Sequence, residues 1–62
     1  MNLVAYFFLG IEAGEASFRD QIGLLARLRD QRDKWLEAEP ESRRAECQAE
    51  FDRGFLQGGR SA

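Results

Sequence analysis

General acid–base catalysis runs most often through histidine, and this sequence contains none. Its eleven acidic residues fall mostly on the solvated faces of the predicted helices, and a chain of 62 residues offers no concave scaffold to desolvate a carboxylate pair. Cys47 has Arg43 and Arg44 close in sequence, which could lower a thiol pKa electrostatically, but no base to take its proton. A small core residue beside Phe51 is the simpler role for it. One Cys and no His also remove the usual zinc ligand sets, leaving carboxylates alone. Gly54, Gly58 and Gly59 do not make a phosphate loop, because no strand precedes them and no Lys-Ser/Thr follows. No catalytic, cofactor-binding or metal-binding residue is therefore assigned, and the chain reads as a non-enzyme.

The side chains that remain are suited to binding. Arg32 projects into the apolar arc of the central helix, between Leu28 and Leu25, with Arg29 near one edge. One reading is snorkelling, with the stem packed and the guanidinium in water. The other puts Arg32 in an interface, paired with a carboxylate or stacked on Trp35, the only tryptophan and the leading candidate for a contact between subunits. Tyr6, Phe7, Phe8, Phe51 and Phe55 complete the candidate interaction residues. Gly10 and Gly14 have the small-xxx-small spacing that lets helices approach closely. With Glu12 and Glu15 inside and beside the motif, a flexible hinge is the preferred reading.

The elements that must hold these groups are helical. Leu3 to Leu9 is apolar without interruption. Asn2 as an N-cap, with Leu3, Phe7 and Ile11 spaced by four, suits a short buried helix, whereas aromatic and β-branched content suits a buried strand. The helix is favoured, because a lone strand has no partner within the chain. Gly10–Ala16 reads as a turn or as the frayed beginning of the next helix, and Ser17 with Asp20 resembles a capping box opening a helix over 17–38. Leu24, Trp35, Leu28, Leu25, Phe18, Leu36 and Ile22 fall in one arc of that helix, roughly 160° wide. Pro40 starts a third helix at its first position, running over 40–57 with a narrow stripe of Cys47, Phe51 and Phe55, and Gly58-Gly59 stops it before a flexible tail over 58–62. No internal repeat or low-complexity tract stands out. The expected fold is all-α, a single small helical bundle over 1–62, built on an antiparallel helical hairpin and completed by oligomerisation.

The chain is too short to hide so much apolar surface comfortably, and it lacks a disulfide or metal to compensate. Association is the remedy left, as a homo-oligomer with a dimer favoured. Nine basic against eleven acidic residues argue against a general nucleic-acid binder. Eight of the nine cations are Arg, which suits planar pairing at protein interfaces, although a GC-rich coding genome gives the same bias. The apolar start is too short to span a bilayer and lacks a basic leader or cleavage signal, so a cytoplasmic location is expected. These features point to a protein–protein interaction module, a small acidic adaptor or stoichiometric inhibitor of a larger protein, in the style of a phage or mobile-element accessory. A ribbon-helix-helix DNA-binding regulator shares the length and element order, but only Asn2 and the Tyr6 hydroxyl could read a base. A small structural subunit of a larger assembly is the third reading.

Overall fold

Helix-forming residues separated by two short breaks produce three helices in the computed structural model, which describes residues 1–61. They are α1 (Leu3–Phe18), α2 (Ile22–Ala38) and α3 (Glu41–Ser61), and no strand occurs among the described residues. The N-terminal segment is thus a helix, capped as its sequence indicates: the Asn2 side chain accepts a hydrogen bond from the Ala5 N–H at 2.9 Å. The all-α bundle matches the expected fold class. Its accessible surface of 4105 Å² is close to the roughly 4,100 Å² that size scaling gives for a compact monomer of this mass.

Several expected boundaries move, and each shift has a packing reason. Gly10–Ala16 is not a turn: Gly10, Ala13, Gly14 and Ala16 are buried helical positions of α1. The capping box does not form, because Ser17 belongs to the last turn of α1 and α2 begins only at Ile22. The chain reverses at Arg19–Gln21 through a Schellman closure. There the Gln21 N–H donates to the Ala16 carbonyl at 2.8 Å and the Asp20 N–H to the Ser17 carbonyl at 3.2 Å. Asp20 takes the left-handed position (φ 59°) that glycine usually fills. Pro40 precedes α3 instead of opening it, its carbonyl accepting from the Arg43 N–H at 2.9 Å. Gly58-Gly59 does not stop α3, which continues through Ser61, and the expected tail is helical over 58–61 while Ala62 lies outside the described residues.

The dominant contact joins α1 to α3. A Cβ built on Gly10 would strike the Phe51 carbonyl oxygen, one on Gly14 the Phe55 oxygen, one on Gly54 the Phe7 oxygen and one on Gly58 the Ile11 oxygen. Residue numbers rise together along both helices, so α1 and α3 run parallel, with α2 returning antiparallel between them. The contact is reciprocal because the two helices carry the same pattern at an offset of 44 residues: Phe7-x-x-Gly10-Ile11-x-x-Gly14 and Phe51-x-x-Gly54-Phe55-x-x-Gly58. This short repeat escapes a linear reading. Each glycine turns a Cα–H toward a carbonyl across the interface, the arrangement that recurs at close helix–helix contacts. The hinge reading of Gly10 and Gly14 gives way to close approach; Glu12 and Glu15 do not prevent it, because Glu12 is exposed and Glu15 half-buried while the glycines are buried.

The core grows beside this backbone seam. Tyr6, Leu9 and Ala13 of α1 and Cys47 and Phe51 of α3 are buried, and Leu25, Leu28, Trp35 and Leu36 of α2 pack against them half-covered. No residue of α2 is itself buried. The apolar arc expected for this helix is too wide by three members: Phe18 and Ile22 are 63% and 70% exposed, because the chain turns between them, and Leu24 is exposed as well. The expected α2–α3 hairpin exists, joined across Glu39 and Pro40, but it is the lesser contact.

Glycine substitutions separate backbone packing from helix propensity. Gly10→Ala and Gly54→Ala should each destabilise the fold by at least about 3 kcal/mol, the collision outweighing the propensity gain of alanine. A Cβ on Gly23 or Gly59 meets nothing, so alanine there should be neutral or stabilising by up to about 1 kcal/mol. Urea denaturation midpoints of the four variants check this.

Candidate interaction surface

Six of the eight residues expected at an interface come together, but within the chain, along the seam where α2 meets α1 and α3. Tyr6 is fully buried, its ring edge-on to Trp35 at 5.5 Å between centroids and 83° between planes. Arg32 lies over the Phe51 ring at 4.9 Å and Arg29 over Phe55 at 6.0 Å. Arg32 therefore stacks on a phenylalanine, not on Trp35, and pairs with its neighbour Asp33 at 2.9 Å. Phe51 and Phe55 are themselves tilted ring neighbours at 6.4 Å. The aliphatic stems and flat guanidiniums act as the outer wall of a core too small to close over its own aromatics.

Phe7 and Phe8 lie apart from that seam. Arg53 of α3 covers the Phe7 ring at 4.6 Å and is itself held to Glu50 at 2.7 Å. Phe8 is 57% exposed and Val4, one turn earlier, 59%; Ile11, one turn later, is half-buried. Helical spacing puts Val4, Phe7, Phe8 and Ile11 on the side of α1 turned away from Tyr6, Leu9 and Ala13, forming an apolar strip in which Phe7 and Ile11 are half-buried beside α3 and Val4 and Phe8 are left exposed. Exposed Phe18 and Ile22 lie at the far end of the molecule, beside the α1–α2 turn.

The one buried charged side chain among the described residues is at the opposite end. Glu39, 6% exposed, ends α2 and accepts from the terminal ammonium of Met1 at 2.8 Å and from the Tyr6 hydroxyl at 3.2 Å, with Arg43 at 3.5 Å from its other oxygen. The hydrogen bond from the ammonium, reinforced by its charge, by Tyr6 and by Arg43, holds the Glu39 carboxyl below its ordinary value against the opposing effect of burial. Burial, followed by the Glu39 charge and the nearness of Cys47, pushes the Tyr6 hydroxyl well above its usual value, so it remains a donor. Arg44 adds a tie by donating to the Leu36 carbonyl at 3.0 Å. Sequence reasoning missed this clasp and the pairing of Gly10 and Gly14, whose close-approach spacing it noted, with Gly54 and Gly58. A search for paired apolar-x-x-Gly units (Phe7/Gly10, Ile11/Gly14, Phe51/Gly54, Phe55/Gly58) would have found the match, but nothing local marks Glu39.

The clasp is a closed structure, not a reactive one. Its carboxylate is already engaged, and no buried side-chain polar atom among the described residues lacks a partner. Cys47 is fully buried. No group of three or more His, Cys, Asp or Glu converges among the described residues, and none of the described helices is long and apolar enough to cross a membrane. The groove lined by Asp33, Leu36, Glu37 and Arg44 is shallow and open. No family model, curated protein or solved structure matches this chain.

The clasp sets a pH dependence with a definite sign. A carboxyl held low in the folded state stabilises the fold fully above the ordinary carboxylate range, and that contribution is lost as pH falls from about 4.5 through the depressed value. Thermal midpoints measured from pH 7 to pH 2 should fall over that window, and Glu39→Gln should be less stable at pH 7 with a flatter acid limb. An unchanged profile in the Gln variant would place the acid sensitivity elsewhere.

Proposed function

We propose that this protein is a non-catalytic protein–protein interaction module: a small acidic helical adaptor or stoichiometric inhibitor that docks on a larger cytoplasmic protein. The observation that carries this reading is the apolar strip of Val4, Phe7, Phe8 and Ile11 on α1, two of whose members are more than half exposed on a helix held rigidly by its glycine contact. The strip fits an apolar groove or helix face on the partner, with Val4 and Phe8 as the knobs. Arg29, Arg32, Trp35, Phe51 and Phe55 support it from behind by fixing α2 against the α1–α3 pair.

The DNA-binding alternative gains nothing from the fold. The segment that would supply the intersubunit ribbon is α1, and the net charge of −2 opposes phosphate binding. The subunit reading shares the interaction surface and differs only in the permanence of the contact.

Affinity capture from the native host, followed by titration of the recovered protein, tests the proposal. Val4→Ser with Phe8→Ser should weaken binding at least about 30-fold, since both knobs are lost. The helical content and unfolding midpoint should change little, because both side chains are exposed. Full binding by the double variant would retire this face as the docking site. Recovery of the chain's own second copy in place of another protein would turn the adaptor into a self-associating unit.

A further inference from the structure

We infer that the chain exchanges α1 with a second copy of itself, residues 19–21 straightening into a helix that joins α1 and α2. Nothing in the local sequence forbids it. Arg19, Asp20 and Gln21 include no glycine or proline, and the hydrophobic pattern runs as one helix across 17–38. The reversal instead depends on Asp20 holding a left-handed conformation (φ 59°), which aspartate tolerates less readily than glycine. Gln21 makes no side-chain capping bond to α2, so that helix start is weakly specified as well.

Packing points the same way. α2 contributes no buried residue of its own, and the half-buried Leu25, Leu28, Trp35 and Leu36 that it lays on the core meet the same side chains again after exchange. The tightest contact, between α1 and α3, is made by the two ends of the chain and needs no particular connection between them. In the exchanged dimer, α1 of one copy lies parallel to α3 of the other and antiparallel to its α2. The glycine seam, the Tyr6–Trp35 contact and the Glu39 clasp then all re-form between copies. The twofold axis passes between the two straightened hinges. Linkage within one chain favours the closed monomer at low concentration, and mass action favours exchange at high concentration. This inference stands independently of the docking face on α1.

Light scattering after size exclusion, on protein refolded at high concentration, reads the equilibrium. Asp20→Ala, which disfavours the left-handed turn, should raise the dimerisation constant about tenfold, since two turns straighten per dimer, and Asp20→Gly should lower it. Spin labels at Glu12 and Glu37, in chains diluted into unlabelled protein before refolding, distinguish exchange from simple docking. One straight helix separates them by about 38 Å, against less than about 20 Å in the hairpin. A long distance in the dimer fraction supports exchange. A dimer retaining the short distance overturns it, as does a helical Asp20→Ala protein that stays monomeric at every concentration. If Asp20→Ala loses its helicity, the labelled wild-type chain decides by the same two distances.

Discussion

The backbone contact between α1 and α3 constrains everything else in this protein. Four glycines meet four carbonyl oxygens with no room for a single β-carbon, so the two helices lie as close as polypeptide allows. In a lipid bilayer such contacts compensate for the missing hydrophobic drive. In water they bring a different benefit: a 62-residue chain obtains dense packing without spending large side chains on it. The arrangement is bought with backbone entropy, because glycine in a helix gives up more freedom than any other residue.

Parallel close packing has a topological consequence. Two parallel helices in one chain need a return crossing, and α2 supplies it. The α1–α3 pair has two flanks, and one return helix covers only one of them. On the covered flank lie Tyr6, Leu9, Phe51 and Phe55, walled by Arg32, Arg29 and Trp35. On the other, Phe7 is shielded by Arg53 of α3, and Val4 and Phe8 face solvent. The repeat makes the asymmetry plain: Phe7 corresponds to Phe51 and Ile11 to Phe55, yet only the α3 members receive a helix on top. An exposed apolar surface and a covered core are thus the two flanks of the same motif.

How far the sequence discloses this depends on the range of each signal. Asn2 caps α1 as its type predicts, because a cap is decided within four residues. Cys47 and Phe51 are core at helical spacing, which amphipathic projection captures. Gly10 and Gly14 look like a hinge in isolation, since their value depends on Gly54 and Gly58 lying in matching register across the fold. The end of α1 is hidden because aspartate replaces the usual glycine in the Schellman turn. The interaction candidates were found as a chemical type: arginines and aromatics do stack in a seam, but most of that seam faces this chain's own helices. Only Phe8 and part of Phe7 remain on offer to a partner, and projection of a single helix cannot tell which of its apolar sides another helix will take.

The same seam explains why α2 is fastened at its ends more than along its length. A glycine-lined pair of helices is narrow, and a third helix laid on it touches mainly the rims, so α2 buries no residue completely. Besides the packing of Trp35, Arg32 and Arg29 on Tyr6, Phe51 and Phe55, it is secured by the Schellman turn at one end and, at the other, by Glu39 engaged by the Met1 ammonium, Tyr6 and Arg43. The economy that lets so few residues fold also leaves a free apolar flank on α1.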